Sequence, residues 1–279
     1  MIKTQFKTND DEKWNQWFAG LTDGDGCFYI NKKEKTISFE MTTHVIDARI
    51  LYNIKNKLKG GTVKLRSHAQ AMRYRVKQKN VILDIVHRLN GRLQLKSRFS
   101  QFEEVCRILD IPLFPSPVLL DKQDAYLSGF IDADGSFTIS VTRSTAEDSQ
   151  KDGVEGRSIR LTNSGSHNQI SVKITSVSYE HLKFIQKSYG FGKIYIEKAN
   201  VKNKSPKQKY HWTLKSYEDF QFLYDYLKRH PLKSVKMHRM RLSFIYFKYK
   251  QLGYHLKPVH TIEFKIWKKF SQSWFKYSY

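Results

Sequence analysis

Residues 17–28 read WFAGLTDGDGCF, and residues 126–137 read YLSGFIDADGSF. Each is an apolar stretch carrying small residues, followed by acid and glycine and then by a strand-like run. Glycine just past a helix is an ordinary stop signal. The acids are out of place by the same logic. A helix C-terminus carries partial negative charge, and an aspartate there is disfavoured by up to ~1 kcal/mol. One offset of 109 residues carries Gly20 onto Gly129 and Asp25 onto Asp134. The misplacement therefore occurs twice, at matching places in an internal repeat.

The repeat extends outward from these stretches. "CFYINKK" and "TISFEMTTH" follow the first, and "SFTISVTR" and "NQISVKITSVS" the second, all alternating as strands do. Helix-period segments come next, "VIDARILYNIKNKLKGG" and "SYEHLKFIQKSYGFG", each closing on glycine. Two further strands per half are "GTVKLRS" with "AMRYRVKQ" and "GKIYIEK" with "YHWTLKS". Amphipathic helices "VILDIVHRLNG" and "YEDFQFLYDYLKRHP" lead into basic-headed ones, "LKSRFSQFEEVCRIL" and "LKSVKMHRMRLSFIYFKYK". Each half thus reads α-β-β-α-β-β-α-α, an α+β unit. The first half takes residues 1–110, a proline-bearing linker 111–124, the second half 125–256, and a basic aromatic tail 257–279. The polar, Gly/Ser-rich stretch from 143 to 168 reads as a long hairpin loop or a mobile tip. The tail reads equally well as a docked helix or strand and as a floppy phosphate-binding arm.

Lys and Arg total 49 against 26 acids, a net charge of +23 over 279 residues. Hydrophobic residues at 40% and aromatics at 14% suffice for a real core. Such an excess of cations points to a polyanion as partner. A membrane is the weaker candidate, because no apolar run approaches the ~18–20 residues a spanning helix needs and no signal peptide opens the chain. Two cysteines, Cys27 and Cys106, make neither a disulfide framework nor a zinc site and suit a reducing compartment.

Strand alternation puts the cations on one face. Val63, Leu65, Met72, Tyr74 and Val76 face inward, while Lys64, Arg66, Arg73, Arg75 and Lys77 face outward with no acid on those two strands. In the second half Ile194, Ile196, Trp212 and Leu214 oppose Lys193, Tyr195, Glu197, His211, Thr213 and Lys215. A solvated antiparallel sheet also alternates in this way. Five like charges on neighbouring strands, however, repel unless something anionic covers them. A β-ribbon fits the major groove of duplex DNA better than the narrow one of A-form RNA.

A single Asp-Gly is turn chemistry. Two copies at equivalent points, each after a small-residue helix, suggest two helices packed side by side with Asp25 and Asp134 adjacent at their ends. Neighbouring carboxylates call for cations, and a divalent metal supplies them together with hydrolytic chemistry at phosphodiesters. Asp23 and Asp132 read as capping or supporting residues, and Cys27 as a small strand residue.

"FAGLTDGDG" and "LSGFIDADG" resemble the two signatures of the LAGLIDADG homing endonuclease family in its single-chain, intron-encoded form, over nearly the whole chain. The resemblance implies a pseudo-symmetric monomer of duplicated αββαββα units. Two antiparallel β-saddles would pack through the two motif helices over a long, asymmetric duplex DNA site. It implies Asp25 and Asp134 as metal ligands, with Mg²⁺ in place, Mn²⁺ able to substitute and Ca²⁺ binding without efficient cleavage. Hydrolysis across the minor groove would leave short 3′ overhangs. A lysine near each active site aligns with Lys96 and Lys236, which join the two acids as catalytic candidates. The DNA-facing positions carried over are Tyr29, Asn31, Lys33, Glu40, Lys64, Arg66, Arg73, Arg75 and Lys77. In the second half they are Thr138, Ser140, Thr142, Lys173, Lys193, Tyr195, His211, Thr213 and Lys215, and Glu40 is an expected acceptor from cytosine N4.

The sequence departs from the family at Thr43 and Ser176, where some members carry a water-ordering glutamine. It departs also at Gly24, where alanine is usual and the change is expected to matter little. Duplex DNA is the expected partner, with no membrane role and an organelle as the family's habitual setting. An RNA maturase acting on intron RNA and a non-catalytic DNA-binding regulator are the alternatives on the same fold.

Overall fold

The computed structural model describes residues 9–31, 33–34, 36–143, 152–197 and 208–277. The first half runs α1 (Asn9–Asp25), β1 (Gly26–Asn31), β2 (Thr36–His44), α2 (Ala48–Leu58), β3 (Thr62–Leu65), β4 (Ala71–Val76), α3 (Lys79–Leu89) and α4 (Lys96–Leu109). The second runs α5 (Tyr126–Asp134), β5 (Gly135–Val141), α6 (Gly153–Thr162), β6 (Asn168–Ser176), α7 (Tyr179–Tyr189), β7 (Lys193–Ile196), β8 (Tyr210–Leu214), α8 (Tyr217–Arg229) and α9 (Lys236–Gln251). A last helix, α10 (Ile262–Trp274), closes the chain. Two four-stranded antiparallel sheets result, ordered β1-β2-β4-β3 and β5-β6-β8-β7. The equivalence of the two orders is the repeat expressed in three dimensions. Among the described residues no helix is long and apolar enough to cross a membrane.

Period-2 patterning sorts each sheet into two faces. Ile37, Phe39, Met41, Tyr74 and Val76 are buried on the inner face of the first, and Phe137, Ile139, Ile170, Val172, Ile174, Trp212 and Leu214 on that of the second. Helices α2 and α3, and α7 with α8, cover those faces with Ile50, Leu51, Ile54, Ile82 and Ile85, and with Leu182, Ile185, Phe220 and Leu223.

The halves meet through α1 and α5, whose small residues explain the contact. A β-carbon on Gly20 would overlap the Tyr126 carbonyl oxygen and lie 2.8 Å from Phe130 N. One on Gly129 would overlap the Trp17 carbonyl oxygen and lie 2.8 Å from Leu21 N. The offset of 109 relates these two environments to each other, so the helix pair is a pseudo-twofold axis. Backbone against backbone is a closer approach than any side chain permits, and only glycine supplies it.

The stretch from 143 to 168 is not a loop throughout. Residues 144–151 lie outside the described residues, but α6 occupies Gly153–Thr162, and the expectation of a hairpin loop or mobile tip is corrected for that part. Its polar composition hid a partner, because the inner side of α6 rests on α10. Leu161 is buried there, and Trp267 Nε1 donates to the Thr162 carbonyl at 3.2 Å. The tail is thus a docked helix, with Trp267, Phe270 and Trp274 buried.

A buried polar chain links the halves beside the axis. Tyr126 Oη donates to Asp23 Oδ2 at 2.6 Å and lies 2.9 Å from His181 Nε2. With the hydroxyl proton directed at Asp23, His181 supplies the proton of the second bond, a tautomer assigned from the network. Burial lowers the His181 pKa from 6.5 to about 4 and raises that of Asp23 to about 7. Between pH 6.5 and 4 the unfolded chain holds a proton on this histidine that the folded chain lacks, so its contribution to stability is present above 6.5 and lost as pH falls. Asp23 acts in the opposite sense, since its folded-state pKa is raised. Its contribution is present below the unfolded value of 3.8 and lost as pH rises through about 7. In urea unfolding, the stability advantage of wild type over His181→Gln is expected to shrink by on the order of 1–2 kcal/mol between pH 7 and pH 5. An advantage independent of pH would contradict a buried neutral imidazole.

Candidate functional site

Helices α1 and α5 end together, on Asp25 and Asp134. A methyl on Gly24 would overlap Ala133 Cβ and lie 3.1 Å from Asp134 Oδ2. Gly24 is therefore not neutral, as the sequence suggested. Alanine here would push on the neighbouring helix end and on the carboxylate itself. Asp25 is half-buried and Asp134 opens to solvent. The Asp25 pKa is raised to about 7 by burial and, to a lesser degree, by the charge of Asp134, against the pull of Lys236 and Arg98. Burial also raises Asp134, again opposed by Lys236 and Arg98. Two carboxyl groups at one junction, both pushed toward neutrality chiefly by desolvation, are a site in want of positive charge.

The lysine at the head of α9 supplies part of it. Lys236 Nζ donates to the carbonyl oxygens of Ile131, Asp132 and Ala133 at 2.9, 2.7 and 3.0 Å. It thus caps the end of α5 and offsets the dipole that made the acid there costly. Burial lowers its pKa, while Asp132, Asp25, Asp47 and Asp134 pull the other way.

Lys96 does not occupy the matching place. It is exposed, and its Nζ has no partner among the described residues. Arg98 reaches the end of α1 instead, donating from Nη2 to the Gly24 carbonyl at 3.3 Å. The reason lies in the supporting acids. Asp23 Oδ2 accepts from Gln94 N at 2.7 Å and Leu95 N at 3.1 Å, while Asp132 accepts from Lys233 N at 2.9 Å and Ser234 N at 3.0 Å. That register pairs Lys236 with Ser97, one residue before Arg98, and pairs Lys96 with Val235. Asp23 and Asp132 hold the backbone that leads into α4 and α9, a supporting role. Trp17, the repeat mate of Tyr126, donates its indole N–H to Asp132 Oδ2 at 2.9 Å, and Lys233 Nζ lies 3.6 Å from its ring centroid.

Two residues not anticipated tie the first half to the head of α9. Asp47 Oδ1 accepts from Val235 N at 2.7 Å, and Arg49 Nε donates to the Lys233 carbonyl at 2.6 Å. No spacing in the sequence signals this contact, because it joins residues 188 and 184 positions apart.

The outer faces carry the anticipated side chains, with two changes of meaning. Glu40 is buried, with Oε1 2.7 Å from Arg75 Nε and Oε2 3.3 Å from Arg73 Nη1. The register sets Glu40 opposite Arg75, beside Arg73. Strands β3 and β4 themselves carry no acid, and the carboxylate of Glu40 on β2 relieves the repulsion and orients both guanidiniums. Glu40 is consequently committed to arginine and is not an open acceptor for cytosine N4. Thr213 is also buried, between Lys173 and Lys193 in the register. Tyr29, Lys64, Arg66, Lys77, Lys193, Tyr195 and Lys215 are exposed, as are Lys33 and, with their hydroxyls bonded across or along the edge, Thr138, Ser140 and Thr142. Asn31 Oδ1 closes the β1–β2 turn by accepting from Lys33 N and Glu34 N. His211 is held by Glu197 at 2.9 Å and Thr175 Oγ1 at 2.9 Å, and Lys215 stacks on Tyr195 at 4.9 Å. Gln169 and Ser171 share this face, which strand alternation alone would have shown.

The arrangement fits a divalent ion in one particular way. Among the described residues no group of three or more His, Cys, Asp or Glu side chains is placed to hold a metal. Asp25 and Asp134 bring two carboxylates to the junction, and a site of one or two carboxylates completed by water is the kind that Mg²⁺ commonly takes.

The family model for LAGLIDADG endonucleases matches residues 18–109 and 127–251. A probable intron-encoded endonuclease, aI2 of Debaryomyces hansenii, is 33% identical over 271 residues, 97% of this chain and 39% of its own length. The intron-encoded RNA maturase bI4 of Saccharomyces cerevisiae is 33% identical over 263 residues, 94% of this chain and 36% of its own. The chain spans well under half the length of either relative. Among solved structures, the I-LtrWI LAGLIDADG homing endonuclease bound to target DNA superposes with a TM-score of 0.67 at 14% identity, covering 94% of this chain and 97% of that one.

Proposed function

The chain belongs to the LAGLIDADG endonuclease family, and on that premise we propose that it is a site-specific endonuclease that hydrolyses both strands of a long, asymmetric duplex DNA target. The observation that carries this reading is the meeting of Asp25 and Asp134 at one junction, each crowned by a cation from its own half. A divalent ion held by these two carboxylates would lower the pKa of bound water and stabilise charge on phosphodiester oxygens.

The chain's own groups have separable tasks. Asp25 and Asp134 hold the charge that the ion requires. Lys236 and Arg98 sit where negative charge gathers and would stabilise what develops on the phosphates. Asp23 and Asp132 fix the heads of α4 and α9 and so aim those cations. The two outer faces would lie along the major groove, with Arg73 and Arg75 pre-oriented by Glu40 for bidentate contacts to guanine. Because the first face is rich in arginine and the second in hydroxyls and lysine, the target is expected to be non-palindromic.

In-vitro selection of cleaved molecules from a randomised duplex pool with Mg²⁺ tests the reading. One recovered sequence family, cut on both strands, supports it; a folded protein that yields no cut molecules refutes it. The identity with bI4 favours a second reading, intron splicing, carried by a surface other than the acid pair. A splicing assay with Asp25→Asn/Asp134→Asn separates the two, since splicing support retained without nicking would assign both activities to the chain.

A further inference from the structure

The backbone N–H groups of Lys233, Ser234 and Val235 lead into α9. Asp132 of the second half accepts from the first two. The third goes to the first half, where Asp47 Oδ1 accepts from Val235 N at 2.7 Å. Asp47 is 5% exposed and stands immediately before α2, in the N-cap position. An aspartate there ordinarily accepts from N–H groups of its own helix. This one makes no such bond and holds the other half of the chain instead. Ser178 has the same place before α7 and does what is usual, its hydroxyl accepting from His181 N at 3.2 Å. Among the described residues no side chain of α7 hydrogen-bonds to the head of α4.

Helix α2 grips the same segment twice more. Arg49 Nε donates to the Lys233 carbonyl at 2.6 Å, and Lys233 Nζ donates to Asn53 Oδ1 at 3.4 Å. Lys236 follows Val235 directly and is the first residue of α9. A shift of the held segment therefore moves the ammonium that reaches the end of α5 and whose charge acts on both Asp25 and Asp134. Arg98 is placed differently, bonding to Gln101 and to the Gly24 carbonyl, both of its own half. We propose that Asp47 is a positioning residue of the endonuclease, which holds the head of α9 and so keeps Lys236 in place at the acid pair. The first half thus sets the second half's cation, and no equivalent tie runs the other way among the described residues. The inference rests on the endonuclease reading and adds to it a residue that acts only through another.

The test is single-turnover cleavage of the duplex recovered by selection, with the full chain at saturating concentration and Mg²⁺. A small misplacement of a catalytic group costs up to about 10²-fold, so Asp47→Ala is expected to cut about 10- to 100-fold more slowly while its duplex affinity stays within about threefold of wild type. Asp47→Asn keeps an oxygen for Val235 N and should cut within about threefold of wild type. Ser178→Ala controls for a lost helix cap: it should lower the urea midpoint and leave the cleavage rate unchanged. Exchange of the Val235 amide with deuterated water, followed by NMR, reads the bond itself and should quicken about tenfold in Asp47→Ala but not in Asp47→Asn. Arg49→Ala lies at an exposed position, should slow cutting about three- to tenfold, and decides the matter if Asp47→Ala does not fold. An Asp47→Ala variant that cuts at the wild-type rate overturns the proposal and leaves the endonuclease reading intact. Asp47→Asn as slow as Asp47→Ala, or equal slowing by Ser178→Ala, also overturns it. A wild-type chain that cuts no duplex overturns both.

Discussion

Asp25→Asn is expected to abolish double-strand cleavage, lowering the rate by about 10³-fold or more, while duplex affinity stays within about threefold of wild type. The carboxylate contributes nothing to holding a polyanion, so its loss removes chemistry and leaves binding. The amide keeps the volume and the helix end, which separates charge from packing. Because Asp25 and Asp134 face one junction, Asp134→Asn should give the same phenotype, and the double variant should be little worse than either alone. Undiminished cutting by Asp25→Asn would remove this residue from the site, and lost binding would show that its role is structural. Plasmid cleavage and an electrophoretic mobility titration on the same preparations make the distinction.

Gly129→Ala is expected to destabilise the fold by several kcal/mol, the opposite of what alanine does inside an ordinary helix, where it gains about 1 kcal/mol over glycine. The added methyl would meet the Trp17 carbonyl, a backbone atom that cannot rotate away. Gly20→Ala should behave alike, since its methyl would meet the Tyr126 carbonyl. Gly24→Ala offers the contrast. Its methyl would press on the Ala133 side chain and crowd the Asp134 carboxylate, so the effect should fall more on cleavage than on melting. Denaturant unfolding of the three variants checks the set. A gain in stability at 129 would mean that the helices do not cross backbone to backbone.

Much of this was legible in the chain because repetition made the local signals consistent with one another. The alternation in "AMRYRVKQ" gave the faces of β4, and the offset of 109 gave the pairing of α1 with α5. What stayed hidden depends on register between distant segments. Glu40 reads as an isolated acid until β2 is laid against β4, where it falls between two arginines. Lys96 reads as the mate of Lys236 because both stand near the head of a helix. The backbone N–H groups bound by Asp23 and Asp132 fix the true register, and they put Arg98 at the end of α1. Helix α6 carries too little apolar surface to announce itself and is understood only with α10 beneath it. Gly24 seemed a small change because its cost lies in a neighbour from the other half of the chain.

The most direct measurement is anomalous diffraction from a crystal of the protein with an uncleavable duplex in Mn²⁺. Density for the ion between the carboxyl groups of Asp25 and Asp134, beneath the minor groove and against phosphate oxygens, is the expected result. Ions bound elsewhere, or the two carboxylates turned away from a duplex seated on the sheets, would contradict a shared centre for cutting both strands.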